Sequence, residues 1–117
     1  IFEKEKTLDR LQPKIAALTR LLKPLRAHSH VGDIRQIGLI VGIELVKNRA
    51  TKAPYPLAER VGLRVADEAR RLGLLIRPLG NIIVLMPPLS TTLPELRKMA
   101  GLATKAIRAV TSTNIPA

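Results

Sequence analysis

The run Leu74-Leu75-Ile76-Arg77-Pro78-Leu79-Gly80 leads directly into Ile82-Ile83-Val84-Leu85-Met86-Pro87-Pro88, and no other stretch of this chain constrains its fold as strongly. Two apolar runs of strand length, joined at Gly80-Asn81 and stopped by a proline pair, predict an antiparallel strand pair. One arginine sits between the apolar neighbours. Pro78 biases Arg77 toward an extended backbone, so its side chain leaves the strand in a fixed direction. A guanidinium there has two readings. Its planar fork can hold a carboxylate through two parallel hydrogen bonds, or it can simply reach water from a strand end.

The rest of the chain arranges helices around this pair and one more like it. Leu8, Leu11, Ile15, Leu18, Leu22 and Leu25 recur at threes and fours and predict one buried helical stripe from Glu3 to about Leu25. Pro13 lies inside it, which predicts a kink or a helix restarting with Pro13 in its first turn. His28-Ser29-His30 is expected as an exposed polar connection. Val31 to Val46 reads as a strand pair or one bent strand, interrupted by Gly38 and Gly42 and ended by Lys47-Asn48-Arg49. Ala50 to Pro56 reads as a loop. Leu57, Val61, Val65, Ala69 and Leu72 line one helical face, with Gly73 where a C-cap glycine belongs. Thr92-Leu93-Pro94-Glu95 has capping-box spacing, and the helix it opens should turn Leu96, Met99, Ala103, Ile107 and Val110 inward. Thr111 to Ala117 is expected as a frayed tail. The order is helix, two strands, helix, two strands, helix: an α+β fold, with a small sheet of about four strands covered by three helices.

Composition narrows what such a domain can do. At 117 residues and 46% apolar content, residues 1–117 fit a single domain with a real core. Phe2 and Tyr55 are the only aromatic side chains besides the histidines, so the core is aliphatic and base-stacking has little to work with. There is no cysteine, which excludes disulfides and thiolate metal sites. His28 and His30 have no accompanying acid cluster, so no metal is expected. The longest central apolar run, Ile37 to Ile43, is far shorter than the about 20 residues of a membrane span. A net charge of +11 invites a basic nucleic-acid-binding module. Lys and Arg are, however, spread through all segments and interleaved with apolar positions, which suits solvated helix faces better. The chain opens on Ile1 in charged helical sequence without a signal peptide, so a fragment cut at its N-terminal side, from a cytoplasmic protein, is the expectation.

Certain residues carry a family resemblance. The run Val31-Gly32-Asp33-Ile34-Arg35-Gln36-Ile37-Gly38-Leu39-Ile40-Val41-Gly42-Ile43-Glu44-Leu45-Val46 resembles the start of the C-terminal small domain of class III pyridoxal-phosphate aminotransferases, where Arg-x-x-Gly-x-x-x-Gly-x-Glu-Leu recurs. Lys52-Ala53-Pro54-Tyr55-Pro56, the segment Arg71 to Gly80, and Met86-Pro87-Pro88-Leu89 are most similar to the branch that acts in biotin synthesis. The resemblance covers about Leu8 to Thr111.

That resemblance implies the small domain of a fold-type I transferase. The parent would convert 8-amino-7-oxononanoate to 7,8-diaminononanoate, with S-adenosylmethionine or lysine as amino donor, and would be a homodimer. Arg77 inherits, by position, the pairing with the carboxylate of the small-molecule keto-acid substrate. Leu79 stands where some members carry an aromatic in the pocket wall. Arg35 and Glu44 are read as structural, a sheet ion pair or a solvated edge. Pyridoxal 5'-phosphate needs a Schiff-base lysine, an acid on its ring nitrogen and a phosphate cup. Lys4, Lys6, Lys14, Lys23, Lys47, Lys52, Lys98 and Lys105 fall on polar helix faces or in loops. The resemblance assigns the cofactor to a larger upstream domain, so the chain alone is expected to be inactive, with no catalytic residue of its own. A class III enzyme acting on acetylornithine or 4-aminobutyrate remains the alternative within the family.

Overall fold

The computed structural model describes residues 2–113, with side chains described for residues 11–56 and 58–111. Helix α1 spans Phe2–Leu21 and continues through Pro13. The interruption comes later, where α1 gives way to the short helix α2, Lys23–Arg26, with Pro24 in its first turn. Proline is tolerated there because the first helical N–H groups have no intrahelical partner anyway. Leu18, Leu22 and Leu25 keep the predicted stripe across the break and are fully buried.

Strands β1 (Val31–Ile37) and β2 (Ile40–Asn48) form an antiparallel pair, turned at Gly38-Leu39. Gly38 has φ +61, a conformation glycine adopts without steric cost. The expected loop Ala50–Pro56 holds a further two-residue strand, β3 (Ala53–Pro54), which pairs with the end of β2. A 3-10 turn over Leu57–Glu59 precedes α3, Val61–Arg71. The predicted helix therefore starts late: Arg60 takes a left-handed conformation, φ 49, and separates the two. Gly73, at φ +96, follows the helix end as expected. Strands β4 (Arg77–Leu79) and β5 (Ile82–Leu85) form the second hairpin around Gly80-Asn81. Helix α4 runs Leu93–Thr113. Thr111, expected in a frayed tail, is instead buried within α4, and its hydroxyl donates to the Ile107 carbonyl at 2.7 Å. Residues 114–117 of that expected tail lie outside the described residues.

The sheet order is β1-β2-β5-β4, with β3 beside β2. Side chains alternate across it. Ile34, Val41, Ile43, Leu45, Ile83 and Leu85 are buried on one face, in one core with Leu96, Ala103 and Ile107 of α4 and Val61, Val65 and Ala69 of α3. The α+β plan with a small helix-covered sheet thus holds, with five strands counting β3. The other face lacks such a cover among the described residues. Ile37, Ile40, Leu79 and Ile82 remain exposed there.

Candidate functional site

Arg77 opens β4, the edge strand, and lies opposite Val84 of β5. Register carries the row onward: Val84 faces Gly42 of β2, and Gly42 faces Arg35 of β1. Directly opposed residues share a sheet face, so Arg77 and Arg35 stand at the two ends of one row on the open face. The next row is Leu79, Ile82, Glu44 and Asp33. Arg77 is thereby bordered by Val84, Leu79 and Ile82, an apolar surround. Its guanidinium makes no hydrogen bond or ion pair among the described residues and is exposed. An unpaired guanidinium set in apolar surface is suited to a carboxylate that carries a hydrocarbon chain: the fork takes the charge and the strand surface takes the chain.

The hairpin bearing Arg77 is tied down at its turn. Gly80 has φ +61. Its carbonyl lies so close to α3 that a Cβ on Gly62 would come 2.0 Å from the oxygen. Asn81 donates from Nδ2 to the Tyr55 carbonyl at 3.0 Å, and its own carbonyl accepts from the Leu45 N–H at 2.8 Å. Tyr55 is buried, and its hydroxyl lies 2.9 Å from His30 Nδ1. Gly62, Asn81 and Tyr55 therefore fix the position from which Arg77 extends, and sequence reasoning assigned them no such role. The available signal was Gly62 itself, a residue that costs helix stability and so calls for a packing reason.

Arg35 does not pair with Glu44. It pairs with Asp33 on its own strand at 3.2 Å, in a solvated contact, while register sets Asp33 opposite Glu44. The two histidines differ from expectation as well. They are half-buried rather than exposed, because His30 N–H donates to His28 Nδ1 and the His30 ring sits between the Val46 carbonyl and Tyr55.

The profile described as "Aminotransferase class-III" matches residues 1–107. The chain belongs to the class-III aminotransferases. It is 52% identical over 111 residues to the adenosylmethionine-8-amino-7-oxononanoate aminotransferase of Nitratidesulfovibrio vulgaris, covering 95% of this chain and 20% of that protein. The crystal structure of the enzyme of that name from Methanocaldococcus jannaschii superposes with a TM-score of 0.87 at 44% identity, covering 93% of this chain and 25% of the other. A PMP-bound aminotransferase from Vibrio fluvialis gives a TM-score of 0.89 at 29% identity, over 95% and 25% of the respective chains. The chain spans between a fifth and a quarter of the length of these class-III relatives.

The family implies a pyridoxal cofactor, and the described residues of this class-III chain do not fit one. A Schiff-base lysine needs a desolvated setting beside an acid. Lys23, Lys47, Lys52, Lys98 and Lys105 are exposed. Lys14 is half-buried but spends its ammonium on the Leu89 carbonyl at 2.8 Å. No group of three metal-ligating side chains occurs among the described residues, and no described helix is long and apolar enough to cross a membrane.

Proposed function

We propose that residues 1–117 form the C-terminal small domain of a cytoplasmic, homodimeric aminotransferase of biotin synthesis. The parent converts 8-amino-7-oxononanoate to 7,8-diaminononanoate, with S-adenosylmethionine or lysine as donor. This domain contributes Arg77 as the anchor for the substrate carboxylate. The supporting observation is the guanidinium of Arg77 on the open sheet face, without a partner among the described residues, in a chain 44–52% identical to proteins bearing that enzyme's name. Identity at this level favours the biotin branch over acetylornithine or 4-aminobutyrate enzymes.

Arg77 binds and orients; proton transfer and cofactor binding belong to the parent's other residues. The exposed Leu79 and Ile82 flank it and suit the unbranched methylene chain of such a substrate. The isolated 117-residue chain, with no fitting lysine among the described residues, is expected to show no visible cofactor absorbance and no transamination. Appearance of either would refute the division of labour.

The deciding experiment compares the full-length parent with its Arg77→Ala variant on 8-amino-7-oxononanoate, each donor tried separately. A charge-assisted contact contributes about 1.5–3 kcal/mol. Its loss should therefore raise KM for the keto acid by about 10- to 100-fold. Unchanged kinetics would return Arg77 to a solvated strand end. Absence of activity with both donors would overturn the assignment to the biotin branch.

A further inference from the structure

A second cationic site lies away from Arg77, where α2 turns into β1. Two clefts adjoin there and share Ser29 and His30. One is lined by Lys47 and Arg49 of β2 and its following turn, the other by His28 and by Lys105 and Arg108 of α4. No carboxylate lines either cleft among the described residues. Carboxylates of neighbouring elements are engaged elsewhere. Glu68 of α3, which also acts on Lys105, is paired with Arg71. Asp33 of β1, which shares a separate cleft with Arg26 and Arg49, is paired with Arg35.

We propose that His28, His30, Lys47, Arg49, Lys105 and Arg108 together form a binding site for a small oligophosphate anion such as pyrophosphate. Four permanent cations and two imidazoles line adjoining clefts that hold no carboxylate among the described residues, so they repel one another, and a bound multivalent anion relieves that repulsion. The paired clefts give the valence: one phosphoryl group faces Lys47 and Arg49, and a second faces Lys105 and Arg108. A single carboxylate would leave one cleft uncompensated. Arg108 supplies a planar fork of the kind that takes phosphate oxygens in pairs.

His28 supports the reading independently. Its pKa lies below the ordinary imidazole value, first through burial, then through the charges of His30 and Arg108. The free site therefore keeps His28 neutral near pH 7, and an anion beside it favours the protonated ring. The His28 ring should therefore gain a proton on binding, which is read at the imidazole itself because pyrophosphate also changes its own charge between about pH 6 and 8.

The test is calorimetric titration of the 117-residue chain with pyrophosphate, run alongside NMR of the histidine rings. Saturable one-to-one binding is expected, with His28 titrating at higher pH in the complex. Lys105→Ala and Arg108→Ala, each made singly, should each weaken binding about tenfold or more, since a lost charge-assisted contact contributes about 1.5–3 kcal/mol. Arg49→Ala should weaken it from the other cleft. All these side chains are exposed, and Arg35→Ala serves as a charge-matched control on the far face. No saturation at millimolar pyrophosphate, or equal weakening by Arg35→Ala, overturns the proposal. A single-stranded DNA oligonucleotide is the second arm, and its binding where pyrophosphate fails would overturn the small-anion site in favour of a polymer-binding surface.

Discussion

Replacing Gly62 by alanine should destabilise this domain, although the same exchange stabilises most helices. Gly62 is buried as the second residue of α3, and a Cβ there would lie 2.0 Å from the Gly80 carbonyl oxygen, 3.2 Å from the carbonyl carbon and 3.7 Å from Pro78 Cβ. Non-bonded heavy atoms settle near 3.5 Å, so helix and turn must separate by about 1.5 Å. The turn cannot simply drift. Asn81 holds it to the Tyr55 carbonyl and the Leu45 N–H. Overpacking of this kind costs about 1–3 kcal/mol or more, against an intrinsic helix preference for alanine of at most about 1 kcal/mol. The net expectation is a loss of about 1–2 kcal/mol, or roughly 4–8 °C in Tm for a domain of this size. Gly101 is the internal control: it lies in α4, is exposed, and a Cβ there meets nothing within 4 Å. Gly101→Ala should stabilise by about 0.5–1 kcal/mol. Thermal and urea unfolding of both variants, followed by circular dichroism, gives the answer. Gly62→Ala at or above wild-type stability, or both variants shifting in the same direction, would refute the close-approach argument.

Other substitutions probe separate contacts. Thr92→Ala removes the hydroxyl that accepts from the Glu95 N–H at 3.3 Å and donates to Glu95 Oε1 at 2.8 Å, and should cost about 1 kcal/mol in urea unfolding. Glu95 is held below its ordinary carboxyl range, first by the Thr92 backbone N–H and then by the Thr92 hydroxyl. Its contribution is thus complete above the unfolded-state value and is lost as pH falls through the lower folded one. Glu95→Gln should therefore flatten the acid limb of stability against pH, only partly, because Glu68, lowered chiefly by its hydrogen bond with Arg71, acts in the same direction. A variant curve as steep as wild type would exclude Glu95 as a contributor. Tyr55→Phe deletes the hydroxyl 2.9 Å from His30 Nδ1 in a buried setting and should cost about 1 kcal/mol.

Periodicity made the large elements legible. The Leu18, Leu22, Leu25 stripe, the capping box at Thr92 and Glu95, and the hairpin turn at Gly80-Asn81 are all local signals that tertiary packing reinforced. What escaped were features decided across the chain. β3 is two residues of otherwise loop-like sequence, and it is a strand only because the end of β2 lies beside it. The left-handed Arg60 that delays α3 has no local marker, since arginine carries no preference for that conformation. The half-buried histidines depend on Tyr55, 25 residues away from His30. For the candidate site, the extended Arg77 followed from Pro78, whereas its apolar surround required the register that sets Val84 and Ile82 opposite Arg77 and Leu79. The motif alone left the carboxylate and solvated readings open, the family resemblance favoured the carboxylate, and the structure adds a guanidinium without a partner among the described residues.

The proline that sets Arg77 also seals one side of the sheet. Within an antiparallel ladder closed by a two-residue turn, Leu79 and Ile82 take the hydrogen-bonded position, and so does the pair Arg77 and Val84. Pro78, between them, points its nitrogen outward, which is why a proline is accommodated in this strand at all. Arg77 and Leu79 direct their N–H groups inward to β5, and Pro78 has none to direct, so the outer border of β4 presents no amide donor. An incoming strand, whether from another copy of the chain or from a growing cross-β fibril, finds no donor row to copy. The same residue that aims the arginine thus denies this edge of the sheet a template for extension.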